Sequence, residues 1–188
     1  MESINLDNAV ILDTETTGLS SADRICEISV ICAKSGQVLY TSLINPQISI
    51  PAQVSDIHGI TNDDVKDSPV FFDAWEHIEP LIKNKTLLIY NADFDIRMII
   101  ASLGSECSRS YLVSLAWALE RNARCVMRWY AQFYGSLCGN DVTPRFQRLT
   151  NACYQQDVDI SSLTAHRSLS DCEMTRRLIN AVNAKLGA

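Results

Sequence analysis

Four apolar residues, Ala9-Val10-Ile11-Leu12, run without a break into Asp13-Thr14-Glu15-Thr16-Thr17-Gly18. The apolar run reads as a buried strand. Strand side chains alternate between faces, so Asp13 and Glu15 leave it on the same side. Two carboxylates converging at one strand end repel each other and raise each other's pKa, and a divalent cation is the simplest way to keep both ionised near neutrality. An Asp-x-Glu pair before a Thr/Gly turn is also an ordinary polar strand end. The pair therefore gains meaning only if further carboxylates join it.

The rest of the chain alternates between strand and helix signals. Ile25 to Ala33 and Val38 to Ile44 are β-rich runs joined by Lys34-Ser35-Gly36-Gln37, so the first three strands are predicted to form an antiparallel meander. A short helix is expected from Pro51 to His58 with Gly59 beyond its end, and Thr61-Asn62-Asp63-Asp64 caps another turn of helix. From Ser68-Pro69 to Asn84, Phe71, Phe72, Trp75, Ile78, Leu81 and Ile82 fall at helical spacing, with Ser68 as the expected N-cap and Pro80 as a kink or early end. Thr86 to Tyr90 is a continuous apolar strand between helices, the pattern of a parallel strand covered on both faces. Asn91-Ala92-Asp93-Phe94-Asp95 then opens a helix stopped by Gly104. Leu112, Leu115, Ala116 and Leu119 predict a further helix within Ser108 to Asn122, and Arg124 to Met127 a short fifth strand. Arg128 to Tyr134, Pro144 to Gln156 and Ser168 to Lys185 are helical by spacing. The expected fold class is α/β, with a mixed, about five-stranded central sheet of meander plus parallel strands, flanked by helices. All 188 residues fit one domain. Such sheets carry their sites at strand carboxyl ends, and Asp13 and Asp95 both fall beyond such ends.

Composition narrows the functional classes. Hydrophobic content of 47% and charged content of 20% belong to a globular chain, not to a disordered or membrane one. No apolar run approaches a membrane span, and Met1-Glu2-Ser3 lacks the basic start of a secretory signal, so the expected compartment is the cytoplasm. Seven cysteines, an odd number without a Cys-x-x-Cys pair, read as reduced, mostly core-filling thiols and not as a zinc site. The net charge of −6 weighs at first sight against a nucleic-acid partner. Clustered acidic metal ligands are offset by bound ions, however, and Arg109, Arg121, Arg124, Arg128, Arg145 and Arg148 lie in a stretch poor in acids. Those arginines form either a local basic face or ordinary solvated surface.

Further carboxylates do join the first pair. Asp95 lies in the opening turn of a helix, where any acid is stabilised by the helix dipole; Asp93 either competes for the same role or is the N-cap. In His166-Arg167-Ser168-Leu169-Ser170-Asp171 the aspartate sits within a helix and the histidine on the loop approaching it. Taken together, four carboxylates and one histidine have a coherent task. Hard oxygen ligands favour Mg²⁺ or Mn²⁺, and two such ions activate water at phosphorus while stabilising the leaving oxygen of an in-line displacement. Histidine ordinarily titrates near neutrality and can take the proton of that water. The expected roles are Asp13 bridging both metals, Glu15 and Asp171 on the metal holding the nucleophile, Asp95 on the second metal through water, and His166 as general base.

These three motifs, in this order and spanning most of the chain, resemble the DnaQ-like 3′-5′ exonucleases of the DEDDh type, which have a ribonuclease-H-like fold. The resemblance implies release of nucleoside 5′-monophosphates from 3′ ends with Mg²⁺ or Mn²⁺. It also implies substrate-side roles for Thr14, Thr16, Gly18, Leu19, His58, Asn91 and Phe94. Gly18 and Leu19 would approach the terminal base and Thr16 its sugar or phosphate, while Phe94 packs beside the site and His58 belongs to the helix end Ile57-His58-Gly59-Ile60. Core packing is the alternative for Leu19 and Phe94, and a structural helix-end role for His58. Cys125-Val126-Met127 and Leu149-Thr150-Asn151 also resemble family segments, with structural roles expected.

Two departures stand out: Tyr90 occupies a position where many members have histidine, and the Ser108–Asn122 stretch is longer than usual. That stretch is expected to serve as a lid, a dimer surface or part of a single-strand channel, with Tyr111 and Trp117 either stacking on bases or filling core. No polymerase-tethering tail follows the last helix, so a free-standing nuclease is expected, alone or as a homodimer. Its favoured substrates are single-stranded DNA 3′ ends. RNA or short oligoribonucleotides, or a non-catalytic nucleic-acid or partner-binding module, are the alternatives; four mutually repelling carboxylates weigh against the last.

Overall fold

A computed structural model describes residues 1–137 and 145–187. Strands β1 (Ala9–Thr16), β2 (Ile25–Cys32) and β3 (Val38–Leu43) form the antiparallel meander, and β4 (Thr86–Ile89) and β5 (Ala123–Cys125) extend it in parallel from β1. The strand order is β3-β2-β1-β4-β5, a mixed five-stranded sheet as expected.

Alternation along β1 decides what lies on each face. Val10 and Leu12 point into a core shared with α3 (Phe71–Ile82), α4 (Ala92–Leu103) and α5 (Arg109–Asn122). Ile11 points the other way, into a core shared with α6 (Val126–Leu137), α7 (Leu149–Gln155) and α8 (Ser168–Leu186). Burial on both faces is why β1 and β4 read as unbroken apolar runs.

Helix α8 lies directly across β1 and β2. Cys172 Sγ donates to the carbonyls of Ile11 (3.7 Å) and Ser29 (3.5 Å), and the Ser29 and Ser168 hydroxyls meet at 2.8 Å. The start of α8 is thereby pinned over the far end of β1. Asp13 and Glu15 share the parity of Ile11, so they project toward it. Two shorter helices flank the meander: α1 (Ala52–His58), closed by Gly59 in the left-handed conformation, and α2 (Asn62–Val65), opened by a Thr61/Asp64 capping box.

Several boundaries differ from the sequence expectation, each for a local reason. β1 does not stop at Leu12: Asp13 and Glu15 are strand residues, paired with Ser29 and Glu27 of β2. α3 opens after Val70 instead of Ser68, because the Ser68 N–H closes the turn after α2 and Val70 bridges to Asn45. Pro80 sits in the last turn of α3, which ends at Ile82. Pro51 flanks α1 as its N-cap. β5 ends at Cys125, and the Met127 N–H crosses to the Tyr90 carbonyl at 2.9 Å as α6 begins. α7 opens only at Leu149, and the expected start at Pro144 lies outside the described residues. The helix expected within Ser108–Asn122 is α5, with Ser108 accepting the Tyr111 N–H at its start. All six described cysteines are free, three of them buried. No helix among the described residues is long and apolar enough to cross a membrane.

Candidate active site

A cleft of about 640 Å³ opens where β1 and β4 end, walled by the first turn of α4, the coil 146–148 with the start of α7, and the approach to α8. Asp13, Glu15, Asp95, His166 and Asp171 all line it.

Each acid arrives by a different route. Asp13 and Glu15 are delivered by the pleat of β1. Asp95 comes from the first turn of α4, where it is buried and accepts the Thr14 N–H (3.1 Å) and hydroxyl (2.8 Å) on one oxygen. Asp93, two residues earlier, turns outward and pairs with Arg128; Asn91, not Asp93, is the N-cap. Asp171 lies in the first turn of α8, its N–H bonded to the Arg167 carbonyl at 2.9 Å. Asp171 Oδ1 is buried without a hydrogen-bond partner among the described residues. Glu15, His166 and Asp171 each offer one donor atom to a group lying within 4.8 Å of one another.

Burial and mutual repulsion act on every member of the cluster. Burial above all, then Asp95, Asp171 and Glu15, pushes the Asp13 carboxyl well above the ordinary carboxylate range. Glu15 is pushed up to about 8, by burial first and then by Asp171 and Glu27. Burial raises Asp95 to about 7 despite the opposing hydrogen bonds from Thr14. Burial raises Asp171 to about 6, with the backbone N–H of His166 pulling the other way and Glu27 adding to the rise. Four crowded carboxylates, one with an orphaned buried oxygen, form the hard oxygen set that a divalent cation neutralises and partners. Asp13, Glu15, Asp95 and Asp171 therefore fit a metal site.

The residues expected on the substrate side divide. Leu19, 77% exposed, lines the cleft together with Asn91 and Phe94, and the Arg97 guanidinium stacks over the Phe94 ring at 5.4 Å. Thr14 also lines it, but its hydroxyl serves Asp95. Gly18 and Thr16 act beneath the surface. A Cβ at Gly18 would come within 2.7 Å of the Asp23 carboxylate, which accepts bonds from Ser20 and Thr17 and so braces the turn that turns Leu19 outward. The Thr16 hydroxyl is buried and donates to the Gly18 carbonyl at 2.7 Å. His58 is not at the cleft: it is buried, and its Nδ1 accepts the Ile60 N–H at 3.0 Å, the structural helix-end role.

Other cleft residues were not visible as such in the sequence. The Tyr90 hydroxyl donates to the Gln147 carbonyl at 2.8 Å and so anchors the coil bearing Phe146, Gln147 and Arg148. Of the six arginines in the acid-poor stretch, Arg148 is the one that lines the cleft, and it makes no ion pair among the described residues. Met127, Leu149 and Thr150, for which structural roles were expected, also form part of the wall. Helix α5 does not line this cleft. Its Tyr111 accepts from Trp75 and donates to Glu79, a brace against α3, while Trp117 faces outward.

The sequence profile of the RNase T exonuclease family matches residues 10–179. The chain belongs to this family. It is a DnaQ-like 3′-5′ exonuclease, a hydrolase with the ribonuclease-H-like fold. The uncharacterized exonuclease CP81 of Escherichia phage 186 is 32% identical over 185 residues, covering 97% of this chain and 91% of its relative. The DNA polymerase III epsilon subunit of Buchnera aphidicola is 38% identical over 105 residues, which cover 50% of this chain and 45% of that protein. Among solved structures, exonuclease X in complex with 5′-overhanging duplex DNA shares 23% identity with a TM-score of 0.64, over 94% of this chain and 92% of the other. Escherichia coli exonuclease I bound to a dA16 oligonucleotide shares 17% with a TM-score of 0.70, over 95% of this chain and 42% of the other. At those identities the two structures share its fold.

The raised carboxylates give a signed prediction for the metal-free exonuclease. Groups that bind protons more tightly folded than unfolded contribute stability below the ordinary carboxylate range near pH 4, and that contribution is lost as pH rises through about 6 to 8. In EDTA, the Tm of the wild type relative to that of Glu15→Gln should fall between about pH 5 and pH 8, and Mg²⁺ or Mn²⁺ should recover it at the upper end. A relative Tm that rises over this interval would contradict the electrostatic account.

Proposed function

We propose that this exonuclease removes nucleotides one at a time from single-stranded 3′ ends, preferentially of DNA, releasing nucleoside 5′-monophosphates. These 188 residues form one exonuclease domain, which acts in the cytoplasm. Two Mg²⁺ ions serve it, with Mn²⁺ as a substitute. The observation that carries this reading is the convergence of Asp13, Glu15, Asp95, Asp171 and His166 in one cleft, with the buried Asp171 Oδ1 left for a cation.

In this reading Asp13, Glu15, Asp95 and Asp171 would hold the ions. When bound, the ions lower the pKa of the attacking water and neutralise charge on the leaving oxygen. His166, exposed at the cleft and near Glu15 and Asp171, takes one proton from that water. The water oxygen bonds to phosphorus, and the bond from phosphorus to the 3′ oxygen of the preceding nucleotide breaks. That oxygen leaves with a proton from solvent as a new 3′ hydroxyl. Thr14 keeps Asp95 aimed throughout. Leu19 and Phe94 offer apolar surfaces to the terminal base, which suits an unpaired end read without regard to sequence. Arg148, which lines the cleft and makes no ion pair among the described residues, would meet a backbone phosphate.

The preference for DNA is supported by relatives solved with duplex DNA and DNA oligonucleotides. A histone mRNA stem-loop 3′-exonuclease with the same fold, at a TM-score of 0.71 and 15% identity, makes RNA the substrate to compare.

Nucleotide release should be followed from matched single-stranded DNA, single-stranded RNA and duplex labelled at the 3′ end. Wild type with Mg²⁺ should shorten the DNA strand stepwise and fastest. EDTA, Asp13→Ala and Asp171→Ala should abolish the reaction in folded protein, and His166→Ala should slow kcat by about 100-fold. Near-normal turnover by Asp13→Ala would refute the metal assignment, and faster loss from RNA the substrate preference. Separately, Arg148→Ala should raise KM by about tenfold with kcat within about twofold, since a phosphate contact is made alike in the ground and transition states. An unchanged KM would remove Arg148 from the substrate path.

A further inference from the structure

Glu15 has a second acidic neighbour that the cleft does not include. Glu27 stands directly opposite it across the β1–β2 pair, on the same face of the sheet, a register in which like charges repel. Glu27 is 5% exposed and does not line the cleft. Its acceptor sites are instead occupied by the loop that leads into α8. Arg167 Nε donates toward both carboxylate oxygens, at 3.1 and 3.3 Å, and Nη2 reaches Oε1 at 2.5 Å. The Ser168 N–H donates to Oε2 at 2.7 Å. A forked guanidinium on a carboxylate is strong and geometrically exacting. With its oxygens so engaged, Glu27 is not a further metal ligand.

A second tie runs beside the first. Ser168 Oγ meets Ser29 Oγ at 2.8 Å, and Ser29 meets Thr41 Oγ1 at 2.9 Å. Residues 167 and 168 are thus fastened to β2. The residue just before them is His166, whose backbone has φ +60°, a left-handed conformation in which few non-glycine residues sit. Such a conformation persists only where its surroundings impose it.

We propose that the Glu27–Arg167 ion pair is the positioning element for His166. It fastens the chain immediately after the histidine to β2, and so holds the imidazole against Glu15 and Asp171 in a backbone conformation that would otherwise relax. Neither Glu27 nor Arg167 touches the substrate; both act through His166. The proposal rests on His166 being the base of the exonuclease reaction.

The test is a double-mutant cycle on single-stranded DNA, with Arg167→Ala made both in wild type and in His166→Ala. In wild type, Arg167→Ala should lower kcat by about 30-fold with KM within about twofold, the scale of a catalytic group displaced by about an ångström. Arg167→Lys should restore only part of the loss, since an ammonium lacks the fork. In His166→Ala the same substitution should cost less than about twofold, because the group it acts through is gone. Arg167→Ala leaves Glu27 buried with its charge unpaired, so Glu27→Gln/Arg167→Ala is run beside it to keep the comparison in folded protein. Equal losses in the two backgrounds would reduce the pair to a structural support, and undiminished kcat would overturn the inference outright. Inactive wild type would instead overturn the functional reading, and this inference with it.

Discussion

Four carboxylates brought into one cleft repel one another, and every nearby feature of the fold works against that repulsion. Left to themselves the side chains would swing apart toward water. Asp13 and Glu15 cannot, because the strand that carries them is sealed on both faces and its pleat fixes their direction. Asp95 is held by two bonds from Thr14, and Asp171 rides on a helix tied to the sheet through Cys172 and Ser168. Packing energy from two cores is thus spent on an arrangement that is unfavourable until a cation enters it. A site whose parts are frozen before the ion and substrate arrive has little reorganisation left to do during the reaction.

The walls of the cleft are built on different terms from its floor. The floor is charged, buried and held by strands and the first turns of α4 and α8. The rim is made of coil and exposed side chains: Leu19 on a turn braced by Asp23, Phe94 under Arg97, and Phe146 and Arg148 on a coil hung from Tyr90. Solved exonucleases at 15–23% identity keep this fold. In the proposed reading the floor carries the chemistry, and the rim meets the strand.

The sequence displayed the floor more fully than the rim, and the reason is physical. Asp13 and Glu15 are separated by the strand period, Asp95 follows an apolar strand with Asp93 competing for its role, and Asp171 sits just inside a helix, so local pattern offers the candidates and the family resemblance joins them. Element types were legible from local pattern too, including α5, which buries Leu115 and Leu119 of its spaced apolar positions. Boundaries were less so. Ser68 has the chemistry of an N-cap, but the bridge between Asn45 and Val70 keeps the chain extended two residues further. Thr14 read as a substrate contact, yet only the fold brings it against Asp95. Glu27 looked like one polar residue in an apolar strand. Its partners, Arg167 and Ser168, are 140 and 141 residues away in sequence, and no local pattern reports a contact at that distance. For His58 the sequence leaves a substrate-side and a structural helix-end role open; its ring closes a turn, accepting the Ile60 N–H.

The central claim is that the four carboxylates exist to hold two cations, with His166 left free to take a proton. The direct test is a crystal structure of the protein with Mn²⁺ and a nucleoside 5′-monophosphate, using anomalous scattering to place the metal. The account predicts two manganese peaks in the cleft, contacted by Asp13, Glu15, Asp95 and Asp171 directly or through water, with the His166 imidazole uncoordinated and facing the phosphate. A cleft without manganese, or a single ion ligated by His166 together with Glu15 and Asp171, would contradict it.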